Sequence, residues 1–139
     1  MVTLIVTRGL PASGKSTWSR KIVETFPGTH IRVNRDDIRN MLGQYWVPKR
    51  EKVVSRIEKE AIVAGLEKGY NVIIDATNLN PKTMAKWESL AYEYKVELTV
   101  KDFTDVSVAE CLTRDKLREA SVGREVILEM ATKYLGYGN

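Results

Sequence analysis

An apolar run, Val2-Thr3-Leu4-Ile5-Val6-Thr7, leads directly into Gly9-Leu10-Pro11-Ala12-Ser13-Gly14-Lys15-Ser16-Thr17, and a stretch of helical character follows. Few arrangements constrain a fold so tightly. β-Branched residues before the loop argue for a strand, and Trp18, Ile22 and Val23 recur at helical spacing after it. Strand, glycine-rich loop and helix together make a phosphate cradle. Its glycines let backbone N–H groups curl around an anion that the helix N-terminus also favours. Gly9, Ser13, Gly14, Lys15, Ser16 and Thr17 are therefore the expected nucleotide-binding residues. Lys15 is expected to reach the terminal phosphates of a triphosphate, and the Ser16 hydroxyl to take a magnesium site.

The remaining elements repeat the strand–helix theme. Phe26-Pro27-Gly28 marks a turn, and Thr29 to Asn34 reads as a second short strand with His30 near its start. Asp36-Asp37 opens a helix, and Gly43 to Pro48 breaks the pattern. A longer helix is expected from about Lys49 to Lys68, with Val53, Ile57, Ala61 and Ala64 as its core face and Gly69 ending it. Tyr70 to Ile74 is a compact third strand leading into Asp75; Asn80-Pro81 starts a helix that buries Met84, Trp87, Leu90 and Ala91. Val96 to Phe103 alternates as a fourth strand, followed by a charged helical stretch from Val106, a break near Ser121 to Gly123 and a last helix through Tyr134. Strands separated by helices imply crossover units and a parallel sheet covered on both faces, an α/β class.

Size and composition exclude several alternatives. At 139 residues the chain is one domain, and neither an apolar stretch of membrane-spanning length nor a secretory segment is expected. The lone Cys111 reads as a small core residue and suits a reducing cytoplasm. With His30 the only histidine, neither a histidine-rich zinc site nor a Ser-His-Asp triad can be assembled. A formal charge of +4 is compatible with phosphate-bearing partners.

Which reaction such a cradle serves depends on the acceptor side. Asn34-Arg35-Asp36-Asp37-Ile38-Arg39 gathers acids and guanidiniums at the C-terminal end of a parallel strand, the edge where ligands bind in such sheets. A carboxylate there can take the proton of an attacking hydroxyl, and an arginine can hold an anionic acceptor; either acid can equally serve as the helix N-cap. Asp75 at the end of strand three suits a magnesium site or a strand-end turn, and Thr77 and Asn78 either order a loop against the nucleotide or cap the next helix. Arg114 and Arg118 share a helix face in the basic region 114–124. That spacing suits a mobile lid over the phosphates or a solvated helix paired with Asp115 and Glu119.

The Gly9–Trp18 run, the Asn34–Arg39 segment, the Asp75–Pro81 stretch and Lys86-Trp87-Glu88 resemble the kinase domain of phage 5′-polynucleotide kinase over nearly the whole chain. The resemblance implies an adenylate-kinase-like P-loop NTPase fold, three layers α/β/α around a mainly parallel sheet of four or five strands. It implies transfer of the ATP γ-phosphate to a 5′-hydroxyl of DNA or RNA in end repair, with magnesium as cofactor. Asp36 would then be the general base and Arg39 the ligand of the acceptor phosphate. Lys15 and Ser16 would hold the donor phosphates and magnesium, Arg118 the transition-state charge, and Arg35 would be a weaker acceptor-side candidate. Ala76 stands where the phage enzyme has its acid, so Asp75, one residue earlier and on the other strand face, would meet magnesium differently. No haloacid-dehalogenase-type signature follows, and 5′-phosphorylation alone is expected. A small-molecule kinase acting on a nucleoside, nucleotide or sugar hydroxyl shares every donor-side residue, and a nucleotide-dependent nucleic-acid-binding switch is the reading from another class.

Overall fold

The computed structural model describes residues 1–138. β1 (Thr3–Arg8) leads through the glycine loop into α1 (Lys15–Thr25), β2 (His30–Val33) and α2 (Arg35–Met41). A 3-10 turn (Pro48–Arg50) runs into α3 (Glu51–Glu67), followed by β3 (Asn71–Ile74), α4 (Pro81–Glu93), β4 (Glu97–Asp102), α5 (Val108–Lys116) and α6 (Arg124–Leu135). Among the described residues the strands form one four-stranded sheet in the order β2-β3-β1-β4, and every pairing is parallel. β3 lies between β1 and β2, whereas β4 joins the other side of β1. The chain therefore changes winding direction beside β1, and the crevice this opens at the C-terminal strand ends is where α/β sheets bind ligands.

Strand alternation sorts the sheet's two faces. Leu4, Val6, Val72 and Ile74 join Val54, Ile62 and Leu66 of α3 and Trp87, Leu90 and Ala91 of α4 in the main core. A second cluster of Leu10, Leu79, Cys111, Ile127 and Ala131 packs α5 and α6 beneath the glycine loop. Burial raises the Cys111 thiol's pKa, as suits a core residue. Gly65 lets α3 approach the sheet: a Cβ there would lie 2.5 Å from Ile31 Cδ1 and 2.8 Å from Val72 Cγ2.

The core face of α3 differs from the sequence expectation by one residue. Val54, Glu58, Ile62, Gly65 and Leu66 are the buried positions; Val53 and Ala64 are exposed, and Ile57 and Ala61 flank the core half-buried. Apolar residues stand on both stripes, and the deciding one contains a glutamate. Glu58 is tolerated at 3% exposure because Arg35 of α2 donates to its Oε1 at 3.0 Å. On α4, by contrast, Trp87, Leu90 and Ala91 are buried and Met84 packs against them, as the spacing predicts. On α1 the fully buried positions are Lys15 and Ser19, with Trp18, Ile22 and Val23 half-buried.

Candidate active site

The glycine loop closes on itself through two left-handed residues, Ala12 (φ 64°) and Gly14 (φ 105°). A Cβ at Gly9 would sit 2.8 Å from Ser13 Oγ and 2.9 Å from Phe103 Cβ, so the close approach of chain to chain requires glycine there. Positive φ at a non-glycine residue is a strained conformation that persists where surrounding structure enforces it, and such strain clusters at ligand clamps. Here the support is identifiable. Gly9 N–H donates to Thr77 O at 3.0 Å, Asn78 Nδ2 donates to Thr7 O at 2.7 Å, and Trp87 Nε1 donates to Asn78 Oδ1 at 2.9 Å. Thr77 and Asn78 thus brace the loop, while Asn80 caps α4 by accepting from Lys82 N–H at 2.9 Å.

Lys15 is folded over the loop, its Nζ donating to Leu10 O at 2.5 Å and Ser13 Oγ at 3.3 Å, and only 7% of the residue is exposed. Burial lowers its pKa to about 8, against a raising influence from Asp75 and Cys111; Arg118 lowers it further. Ser16 occupies the first turn of α1, half-buried, and Thr17 beside it is exposed.

Asp75, 1% exposed, ends β3 on the α1 side of the sheet. Its Oδ2 accepts from Ser19 Oγ at 2.9 Å and from Arg32 Nε at 2.7 Å. Arg32 also pairs with Asp37, forming an Asp75–Arg32–Asp37 chain from the middle of the sheet to α2. The sequence reading missed Arg32. Its signal was an arginine between the apolar Ile31 and Val33 of a four-residue strand, His30–Val33, but a partner 43 residues along the chain, just past β3, could not be named without the register, Arg32 opposite Ile73.

Neither acid of the Asp36-Asp37 pair caps α2. Asn34 does, its Oδ1 accepting from Asp37 N–H at 2.9 Å while its Nδ2 donates to Asp75 O at 2.9 Å. Asp37 is committed to Arg32, leaving Asp36 at the exposed start of the helix. Asp36 Oδ1 accepts from Arg39 Nη1 at 2.7 Å and from the Tyr45 hydroxyl at 2.8 Å. Arg39 is gripped by Glu51, Nε to Oε2 at 3.0 Å and Nη2 to Oε1 at 2.6 Å. These bonds, Glu51's foremost, raise the pKa of Arg39, and Arg39 in turn holds the Glu51 carboxyl down to about 2. A guanidinium has five N–H donors, and three are used here. One on each terminal nitrogen is left for an anion.

Arg35 is turned the other way. Its Nη1 donates to Ser55 Oγ at 3.1 Å and Glu58 Oε1 at 3.0 Å and its Nη2 to Glu51 Oε1 at 3.2 Å, which joins α2 to α3 and directs the side chain away from Asp36.

Arg118 lies just past α5 and donates from Nη2 to Asp115 Oδ1 at 2.7 Å. Buried Asp115 also accepts from Val122 N–H at 3.0 Å and Gly123 N–H at 2.9 Å, so one carboxylate ties together the whole turn from 115 to 123. Arg114, paired with Glu110 at 2.9 Å, reaches the cradle: a Cβ at Gly14 would lie 3.7 Å from its Nη1. The two basic residues therefore flank the loop from its α5 side. Lys101 adds charge over the Trp18 and Phe103 rings, at 5.6 and 5.8 Å from their centroids. No group of three or more His, Cys, Asp or Glu residues among the described residues could hold a metal unaided. No described helix is long and apolar enough to cross a membrane.

Known proteins resemble this chain in sequence and fold. The chain is 25% identical to a protein of Autographa californica nuclear polyhedrosis virus named "Putative bifunctional polynucleotide kinase/RNA ligase", an alignment covering 98% of this chain and 21% of the viral protein. A chain in a structure of the Pnkp1/Rnl/Hen1 RNA repair complex superposes with a TM-score of 0.84 at 30% identity, over 97% of this chain and 44% of that one. Mycobacterium tuberculosis APS kinase CysC, solved with AMPPNP and APS, shares the fold at 18% identity and a TM-score of 0.63, over 82% of this chain and 68% of that one. The present chain thus spans less than half the length of the first two relatives. The profile of a family described as an AAA domain matches residues 4–135, nearly the full length, and together with the glycine loop and the parallel sheet this makes the chain a member of that P-loop family.

Proposed function

We propose that this chain is a polynucleotide 5′-kinase that transfers the γ-phosphoryl group of ATP to the 5′-hydroxyl of DNA or RNA. The observation that carries the reading is the setting of Asp36: of the two acids at the start of α2, Asp37 is paired with Arg32 of the sheet, whereas Asp36 is paired with Arg39, a guanidinium with unused donors. That pairing suits an acceptor which carries a hydroxyl to be deprotonated and, one nucleotide on, a phosphate to be gripped. The polynucleotide kinase name of the viral relative, and a superposition over nearly the whole chain on a component of an RNA repair complex, support the same substrate class.

The donor side fits a triphosphate. The left-handed conformations at Ala12 and Gly14 suit a loop whose backbone N–H groups close on an anion, and Lys15 can exchange its bond to Leu10 O for phosphate oxygens without leaving the loop. Arg118, and Arg114 with it, would stabilise charge on the transferring group from the α5 side. Magnesium, when bound, neutralises phosphate charge; Ser16 would hold it directly. Asp75, whose Oδ2 is engaged by Ser19 and Arg32, would act on that ion's water shell. Asp36 would take the proton of the 5′-hydroxyl as that oxygen bonds to phosphorus and ADP leaves. Arg39 would hold the phosphate 3′ to the terminal nucleoside, and Glu51 would keep its guanidinium in plane. Arg35 serves this site by fastening α2 to α3.

The test is transfer of labelled γ-phosphate from ATP, with magnesium, to a 5′-hydroxyl oligonucleotide beside a nucleoside 3′-monophosphate and a panel of nucleosides and sugars. Labelling of the oligonucleotide 5′ end is the expected result. Labelling of a nucleoside or sugar alone would replace the acceptor while keeping the donor site. Nucleic-acid binding with no labelled product would leave a nucleotide-dependent switch.

A further inference from the structure

Two large aromatic side chains stand exposed beside Arg39, and one of them is bonded to Asp36. Tyr45 is 48% exposed and Trp46 is 55% exposed, although both belong to a loop that folds back over α2. The Arg39 guanidinium carbon lies 5.8 Å from the Tyr45 ring centroid and 5.6 Å from that of Trp46. The Tyr45 hydroxyl is fixed on Asp36, so that ring is a neighbour of the reacting end, and Trp46 lies one residue farther along the loop. Core packing does not explain the pair, since neither residue belongs to the buried clusters.

We propose that Trp46 is a stacking platform for the second nucleobase of the acceptor strand, with Tyr45 as the wall between that base and the reacting 5′ end. The inference rests on the polynucleotide reading of Asp36 and Arg39. A strand whose first internucleotide phosphate is held by Arg39 continues past the cation onto the ring next to it. An exposed indole with a guanidinium over one face offers a base its other π face, with the cation held across the ring. Such stacking is tolerant of sequence because every base has a π face, so the platform would select for strand length without selecting for base identity.

The experiment is a KM comparison in wild type and Trp46→Ala, using a 5′-hydroxyl oligonucleotide, the same oligonucleotide with an abasic second position, and a nucleoside 3′-monophosphate. The abasic strand is expected to raise the wild-type KM by about 5-fold or more, the lower end of what base–aromatic stacking contributes. Trp46→Ala should raise KM for the intact strand by a similar factor, lose sensitivity to the abasic position, and leave KM for the monophosphate and for ATP unchanged. Trp46→Phe should restore most of the affinity.

Equal KM for intact and abasic strands in wild type would overturn the platform outright, and that comparison stands even if Trp46→Ala folds poorly. A Trp46→Ala enzyme that weakens the monophosphate as much as the strand would make the ring a support for Arg39 and overturn the proposal. Absence of transfer to any oligonucleotide in wild type would refute the underlying kinase reading itself, a result distinct from either.

Discussion

Arg32→Met tests the ion pair that joins the centre of the sheet to the start of α2. The substitution keeps most of the apolar stem and removes the cation, leaving Asp75, 1% exposed, with Ser19 as its remaining side-chain partner. Removing one member of a buried pair costs roughly 3–5 kcal/mol because the other charge stays out of water. The Arg32 side chain is 11% exposed and its second partner Asp37 54%, so water reaches that end of the chain and the lower end of the range applies. About 3 kcal/mol in a domain of this size lowers Tm by about 10 °C, readable by thermal melting or calorimetry. Asp75→Asn in the Arg32→Met background should recover most of the loss, because a neutral amide oxygen still accepts from Ser19 and carries no charge to desolvate. A Tm within 2 °C of wild type for Arg32→Met, or no recovery in the double variant, would refute the claim that a buried charge governs this end of β3. The double variant, if folded, also isolates Asp75's role towards magnesium: an unchanged magnesium dependence of ATP turnover would exclude it.

Asp36→Asn should lower kcat by about 100- to 10,000-fold with ATP affinity and Tm nearly unchanged, since the carboxylate is exposed and acts only in the chemical step; steady-state kinetics beside a melting curve decides it, and a wild-type kcat would remove Asp36 as the base. Lys15 is held below its ordinary pKa, at about 8, so the nucleotide-free protein at pH 9 carries it largely neutral and a bound triphosphate should draw a proton back onto it. Calorimetric titration with ATP at pH 9 in two buffers of different ionisation enthalpy is expected to show uptake of most of one proton, lost in Lys15→Met; buffer-independent heats would contradict the assignment. The same depression makes the nucleotide-free fold gain stability as pH rises from about 8 towards 10.5, where the unfolded chain binds the extra proton. Gly65→Ala should destabilise by about 1–3 kcal/mol in urea titration, because its Cβ would overlap Ile31 and Val72, and a neutral result would mean that α3 can retreat from the sheet without loss.

Legibility in the sequence followed the range of the interactions. The glycine loop, β1, β3 and α4 are specified by residues within about ten positions of one another, and the structure forms them where the pattern expects. The second strand, the long helix and the last two helices appear with ends moved by a few residues, as 3-10 turns and fraying at helix ends produce. The core face of α3 was misread because two adjacent stripes are apolar, and the choice depends on Arg35 neutralising Glu58 from another helix. The acids at 36 and 37 could not be separated by position alone: both lie in the first turn of α2, and what distinguishes them is Arg32 on the preceding strand and Asn34 as cap. The break at Gly43 to Pro48 was visible, but not that it returns Tyr45 and Trp46 to Arg39.

By itself, then, the chain's order of residues determined a P-loop α/β domain, a glycine loop closed over Lys15, and a segment rich in Asp and Arg at the end of β2. Those features depend on local geometry, where glycine, β-branched and charged residues act on their sequence neighbours. Tertiary structure alone decided what each cation faces. Arg35 is bonded to buried Glu58 and Arg32 to buried Asp75, whereas Arg39, although Glu51 grips it, lies beside exposed Asp36 and the exposed rings of Tyr45 and Trp46. A charged side chain pairs with whatever opposite charge the fold brings within hydrogen-bond reach, and that partner is set by strand order and helix packing rather than by separation along the chain.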